Sequence, residues 1–200
     1  MANRRIIGLM AAKSAGKTTA SRVMENHGFK KLSIAEPIKD MCRVLGLTDE
    51  HLYGSLKEKP SDLLMGKTPR HVMQTLGADY AHSYIHRDIW LAITLRKISK
   101  THGDVVIDDV RFPHEVDAIR ALGGEIWVIR RPSVEPPITT WLQRMLAKIG
   151  IGKVPHVSEL HWRDYVGTAD QMLLNTETEL EFEAAIWLRL MSRAIKRKAA

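Results

Sequence analysis

The stretch Ile6-Ile7-Gly8-Leu9-Met10-Ala11-Ala12-Lys13-Ser14-Ala15-Gly16-Lys17-Thr18-Thr19 constrains this chain more than any other. A short apolar run passes into small residues, then Gly-Lys-Thr, then a helix-compatible run that continues to residue 26. That order predicts strand, loop and helix. In such a loop several backbone N–H groups point inward at a phosphate chain, with a helix N-terminus behind them. The expected cradle runs over Ala12, Lys13, Ser14, Ala15, Gly16, Lys17, Thr18 and Thr19. The Lys17 ammonium is expected to reach the outer phosphates, and the Thr18 hydroxyl to ligate Mg²⁺. Gly16 suits the position because a Cβ there would crowd the phosphates.

The match to the Walker A pattern G-x-x-x-x-G-K-[ST] is incomplete, because Ala11 stands where the first glycine belongs. The N-terminal side of the loop must therefore be built with a small Cβ. The bland alternative is a strand–turn–helix that binds nothing. The surrounding pattern favours phosphate, since the motif sits where a strand feeds a helix.

Along the chain, strands are predicted over about 5–10, 29–35, 104–110, 125–129 and 170–175. Helices are predicted over about 17–27, from 36 to 45, from 68 to 76, over 89–99, from 113 to 122 and over 180–196. Gly28, Gly46 and Gly77 are read as helix stops. Ile38, Met41, Cys42, Val44 and Leu45 form the expected apolar face of the second helix, and Val72, Met73 and Leu76 that of the third. The β-branched run before Asp108 reads as an inner parallel strand covered on both faces. Alternating βα units call for an α/β fold: a doubly wound, five-stranded parallel sheet with helices on both faces. Phosphates are expected at the carboxyl ends of its strands. Residues 132–160 interrupt the pattern with Pro132, Pro136, Pro137, Pro155, Gly150 and Gly152, an excursion long enough to be functional or disordered.

Phosphoryl transfer needs phosphates held in line, Mg²⁺, and cations around the moving group. Asp108 and Asp109 close the inner strand and are placed to hold Mg²⁺, directly or through water. Strand alternation sends them to opposite faces, so one of the two is expected to serve the metal, and the residues do not choose between them. Arg70, Arg111, Arg130 and Arg131 each lie near a predicted strand end or helix start. A guanidinium fork suits phosphate because it donates two parallel hydrogen bonds.

Composition narrows the class. The 200 residues suffice for one domain with a real core, carry a net charge of +7, and contain one cysteine, Cys42, which excludes an internal disulfide and suits a reducing cytoplasm. No apolar run is long enough to span a membrane, and the N-terminus lacks the apolar stretch of a signal peptide. The basic excess suits nucleotide phosphates or nucleic acid. Part of it, Arg189, Arg193, Lys196, Arg197 and Lys198, reads as the solvated end of a helix.

Spread over nearly the whole chain, these segments resemble the bacteriophage-type deoxynucleoside monophosphate kinases, within the P-loop nucleoside monophosphate kinase group. The matching stretches are the loop 11–18, Ser33-Ile-Ala-Glu-Pro-Ile-Lys39, Thr68-Pro-Arg-His-Val-Met-Gln-Thr-Leu-Gly77, Asp88-Ile-Trp-Leu91, Ile107-Asp-Asp-Val-Arg-Phe-Pro-His-Glu-Val116, His156-Val-Ser-Glu159, and 169–175. The resemblance implies a single P-loop kinase domain over 1–200 that transfers the ATP γ-phosphate to a deoxynucleoside monophosphate (dNMP). It implies a monophosphate-binding segment at about 36–90, with Ala35, Lys39, Arg70 and Gln74, and with Arg111 reaching the acceptor phosphate. It also implies a lid at about 132–160, with Arg130 and Arg131 at its root stabilising the transferred group, and the segment after Asn175 near adenine. The family often places an arginine where His82 stands here, and Arg87 is the nearby replacement. ATP, the dNMP and Mg²⁺ are the implied ligands, with the host cytoplasm as the site of action for a phage-encoded chain. A homodimer stays open.

Other readings have specific carriers. The ending Ala169-Asp170 through Asn175 also resembles dephospho-coenzyme A kinase. The basic charge alone suggests a nucleic-acid-binding ATPase, but no recognition helix or aromatic RNA-binding signature accompanies it, so no nucleic-acid partner is expected. His156 with His161 is a weak zinc pattern without cysteines. Trp141, Trp162 and Trp187 are read as packing residues, and Cys42 as buried apolar filler.

Overall fold

The computed structural model describes residues 4–135, 161–176 and 178–198. They divide into two compact units, one made of residues 1–31 with 102–200 and the other of residues 32–101.

The first unit is built around β1 (Ile6–Ala11), in which every residue is buried. A strand without a polar face must be covered on both sides, and β1 lies at the middle of a five-stranded sheet. Its neighbours are β3 (Val105–Ile107), with Ile6 opposite Val105, and β4 (Glu125–Arg130), with Ala11 opposite Ile129; both pair with it in parallel. β2 (Lys30–Leu32) and β5 (Gln171–Leu174) complete the order β2-β3-β1-β4-β5. Helix α1 (Lys17–Asn26) packs on β1 and β3, while α7 (Pro113–Ala121) packs on β1 and β4. The chain leaves β1 toward β2 and leaves β3 toward β4, in opposite directions. Right-handed crossovers therefore carry α1 and α7 to opposite faces. The loops leaving β1 and β3 therefore diverge at the carboxyl ends of these adjacent strands, the switch point at which open α/β sheets bind ligands. The closing helix α8 (Glu179–Lys198) lies against α1, where the exposed Arg22 guanidinium meets Glu179 and Glu183, each at 2.6 Å.

The second unit is helical: α2 (Glu36–Val44), α3 (Asp49–Leu52), α4 (Pro69–Gln74), α5 (Ala81–Tyr84) and α6 (Ile89–Lys100). Its core joins Cys42, Leu47 and Leu52 to Leu64, Val72, Met73 and Leu76. Thr68 caps α4 by accepting from the His71 N–H at 3.1 Å, and Pro69 fills the first turn, as the sequence predicts.

Several expectations need correction. Gly77 does not stop the third helix; the chain passes from α4 through a wide π turn at Thr75–Tyr80 into α5. The Gly77 carbonyl accepts from the Trp90 indole at 2.8 Å, and a Cβ on Gly77 would lie 2.7 Å from Ile38 Cδ1. The glycine is there for close packing, not for termination. Of the expected apolar face of α2, Ile38 and Cys42 lie one turn apart on the inward line and are buried; Met41 and Val44 turn away from that line and are exposed, and Leu45, also exposed, lies just past the helix end. Trp187 is exposed for the same reason, one residue off the inward line of Phe182, Ile186 and Leu190; Trp162 and Cys42 are buried as expected. The second strand spans only Lys30–Leu32, because the chain turns at residues 33–35 before α2.

Gly8 lies at a closely packed point beneath α7: a Cβ there would lie 2.9 Å from Ile119 Cδ1 and 3.0 Å from Ile126 Cδ1 and Val110 Cγ2. Gly8→Val overpacks this contact and is expected to lower the unfolding free energy by about 1–3 kcal/mol, read from the urea midpoint. An unchanged midpoint would show that the layer repacks freely.

Candidate phosphate-binding site

The loop after β1 is shaped by two left-handed residues, Ser14 at φ 63° and Gly16 at φ 108°. Such turns bring successive main-chain N–H groups to one side, and α1 starts directly behind them at Lys17. No acidic side chain occupies the first turn of α1, so its positive pole is not countered there. Lys17 curls over the end of β1, its Nζ donating to the carbonyls of Ala11 at 2.7 Å and Ala12 at 3.0 Å. Lys13, Ser14 and Thr18 are exposed, Thr19 is half-buried, and Ala12 and Ala15 are buried.

Ala11 is accommodated simply. It is the last residue of β1, paired opposite Ile129, and keeps negative φ, so a Cβ costs nothing there. Gly16 is required for reasons that the sequence does not show. Beyond its φ, a Cβ would lie 2.6 Å from Asn175 Nδ2 and 3.0 Å from the Phe182 ring. The crowding comes from the protein itself.

Asp108 and Asp109 lie just past β3, in a turn, and both are half-buried. The alternation argument that separated them does not apply, because the strand ends at Ile107. The half-buried Arg111 and Phe112 follow, and their main-chain N–H groups both donate to Glu115 Oε2, at 2.6 and 3.0 Å. Glu115 sits at the start of α7 and is 6% exposed. Burial raises its pKa from the ordinary 4.5 to about 7, assisted by the charge of Asp109; the two N–H donors and the Arg111 charge pull the other way and lose. Sequence reading passed over Glu115 because Phe112 at the helix start offers no capping side chain to announce the motif.

Arg130 ends β4, beside β1 on the same sheet edge. Its guanidinium forms a two-pronged pair with Glu135, Nε to Oε1 at 3.0 Å and Nη2 to Oε2 at 2.9 Å. Arg131 is exposed. The buried Asn175, also unassigned from sequence, donates from Nδ2 to the Ala15 carbonyl at 3.0 Å. The signal for it was a lone amide residue closing an apolar strand. The loop, the Asp108–Asp109 turn, Arg111, Arg130 and Asn175 thus all stand at the carboxyl edge of the sheet.

Apart from Arg111, the acceptor-side candidates belong to the second unit. Lys39 Nζ stands 3.3 Å from Glu36 and 4.3 Å over the Tyr53 ring. Burial alone would raise the Glu36 pKa; Arg43, Lys39 and Tyr53 together outweigh it and hold the carboxyl below its usual range. Arg70 pairs with Glu58 at 2.5 Å, and Arg87 with Asp88 at 3.2 Å. Ala35 is half-buried just ahead of α2, and Gln74 is exposed at the end of α4. The His82 side chain lies outside the described residues, as does the expected lid from residue 136 to 160, with Trp141, His156, Ser158 and Glu159. His161 Nδ1 lies 3.4 Å from Asp164, and its ring is 5.8 Å from that of Phe112.

A hydroxyl and two carboxylates make an all-oxygen donor set, which suits a hard cation such as Mg²⁺ that keeps much of its water. Among the described residues no group of three or more His, Cys, Asp or Glu could hold a metal alone.

Comparison with known proteins adds an independent line. Residues 66–141 match the family model described as deoxynucleotide monophosphate kinase. The chain is 34% identical, over 199 residues, to a protein of Acanthamoeba polyphaga mimivirus named "Putative deoxynucleotide monophosphate kinase"; the match covers 90% of this chain and 93% of that one. A shorter likeness, 41% identical over 54 residues, covers 26% of this chain and 22% of the deoxynucleoside-5'-monophosphate kinase of Escherichia phage T5. Among solved structures, dephospho-CoA kinase from Campylobacter jejuni is similar with a TM-score of 0.51, covering 96% of this chain and 98% of its own at 16% identity, which is a likeness of fold.

The buried carboxyl yields a pH test. Because the folded pKa of Glu115 lies above its unfolded value, the native state binds the extra proton, and stability falls as pH rises from 4.5 toward 7. The full cost is on the order of 3 kcal/mol. Glu115→Gln abolishes this titration, so its stability relative to the parent chain should improve from pH 5 to pH 8 in urea unfolding. A gap independent of pH would show that the carboxyl is not perturbed.

Proposed function

The chain belongs to the deoxynucleotide monophosphate kinase family, and from that premise we propose that it transfers the γ-phosphoryl group of ATP to a deoxynucleoside 5'-monophosphate, yielding the diphosphate and ADP. The observation that carries this reading is the near-full-length likeness to the mimivirus protein, joined to a phosphate loop ahead of α1. An oxygen of the acceptor phosphate attacks the γ-phosphorus, and the bond to the β–γ bridging oxygen breaks with ADP as leaving group. With a dianionic acceptor no proton need be moved, so the protein's task is positioning and charge compensation.

The main-chain N–H groups of residues 12–19 would hold the triphosphate, with Lys17 on its outer phosphates. Arg130 and Arg131 would stabilise the transferred group, and Arg111 would meet the acceptor phosphate. Lys39, Arg70, Gln74 and Arg87, with the main chain at Ala35, would recognise the monophosphate. Thr18, Asp108 and Asp109 would hold Mg²⁺, which when bound offsets charge on the phosphate oxygens. We place the reaction in a reducing cytoplasm on the strength of the single cysteine. No helix among the described residues is long and apolar enough to cross a membrane.

A dephospho-CoA kinase activity is the second reading, carried by the ending Ala169-Asp170 through Asn175, and acceptor choice separates the two. An ADP-release assay with ATP, Mg²⁺ and each of the four dNMPs is expected to show turnover with at least one of them; turnover with dephospho-CoA alone would replace the reading. Lys17→Ala should lower kcat/KM by roughly 10²–10³-fold, the effect of removing one strong donor from developing phosphoryl charge. Arg111→Ala should raise the KM for the dNMP while leaving that for ATP within twofold; unchanged acceptor kinetics would reassign Arg111.

A further inference from the structure

Asn175 follows β5 and is 8% exposed. Its main-chain N–H donates to the Arg130 carbonyl at 2.8 Å, which extends the β4–β5 ladder by one bond. Its side chain leaves that ladder and donates to the Ala15 carbonyl at 3.0 Å. The contact is close as well as polar: from where a Gly16 Cβ would be, Nδ2 stands 2.6 Å away and the Phe182 ring 3.0 Å.

A peptide unit is planar and trans, so its C=O and N–H point in opposite directions. Anchoring the Ala15 carbonyl on Asn175 aims the Gly16 N–H away from Asn175. Gly16 is the residue of the loop with the least intrinsic restriction on φ and ψ, and without the anchor the Ala15–Gly16 peptide is the easiest one to turn. We propose that Asn175 is a positioning residue for the donor nucleotide. Its amide holds that peptide so that the Gly16 N–H is presented to the triphosphate, and its own main chain ties the loop to the strand end that bears Arg130. This rests on the assignment of the loop as the triphosphate site. One residue then sets a main-chain donor and a guanidinium at a fixed spacing along the sheet edge.

Asn175→Asp is the sharpest test, because it keeps the shape and replaces the donor with an acceptor facing the Ala15 carbonyl. ATP affinity is read by calorimetry without acceptor, beside the separate KM values for ATP and dNMP. The variant is expected to bind ATP at least tenfold more weakly with the dNMP KM within twofold of the parent. Asn175→Ala is expected to lose at least threefold in ATP affinity. A folded Asn175→Asp chain with ATP affinity within twofold of the parent, or one losing ATP and dNMP by the same factor, overturns the proposal. Circular dichroism and thermal melting establish folding. If the Asp variant does not fold, Asn175→Ala decides, with a loss below twofold counting against; unfolding of both leaves a purely structural tie and also overturns it. A parent chain that binds ATP but phosphorylates no dNMP would sink the kinase reading while leaving this test intact.

Discussion

The placement of β1 between two parallel neighbours is the constraint from which the rest follows. Six buried residues without a polar face can only be the centre of a covered sheet. Once β3 and β4 flank that strand in parallel, their carboxyl ends come to one edge, and the loops that follow them inherit that address. Ala12 through Thr19, Asp108, Asp109, Arg111 and Arg130 are far apart in sequence. They share an edge because hydrogen-bond register puts Ala11 beside Ile129 and Gly8 beside Ile107. The chemistry of the site is a by-product of strand pairing.

Much of this could be read from the residues. The strand–loop–helix at 6–26, the inner strand before Asp108 and the capped helix at Pro69 each carry a local signal: a short apolar run, a small-residue turn, a threonine ahead of a proline. What escaped reading depends on contacts remote in sequence. Nothing near Gly77 reveals that Trp90 takes its carbonyl, so a continuing wide turn looks like a stop. Nothing near Gly16 announces Asn175 and Phe182 as the groups that forbid a side chain. Helical periodicity on α2 identified the apolar residues but not which of them face inward, so Val44 fell on the outer side, and the bulk of Trp187 did not tell which side of α8 it takes.

The buried polar groups at the sheet edge divide a common task. Glu115 gathers the N–H groups of Arg111 and Phe112, and Asn175 takes the Ala15 carbonyl. Neither side chain is spent on solvent, and each fixes main chain rather than another side chain. Unsatisfied backbone in such a place costs about 1–3 kcal/mol per group. That cost keeps the loop and the Asp108–Asp109 turn from drifting, and a rigid main chain is what a site made of N–H dipoles needs.

The pairing of Arg130 with Glu135 carries a consequence of its own. The carboxylate takes the Nε–Nη2 edge of the guanidinium, so an anion that needs that edge must first displace it. The exchange swaps one negative partner for another, so singly charged ions such as chloride gain nothing by competing. Only a ligand bringing more charge, or more acceptor oxygens, than a carboxylate tips the balance. Such a pair would act as a valence filter at the carboxyl edge of the sheet, exchanging more readily with a multiply charged partner than with a singly charged one.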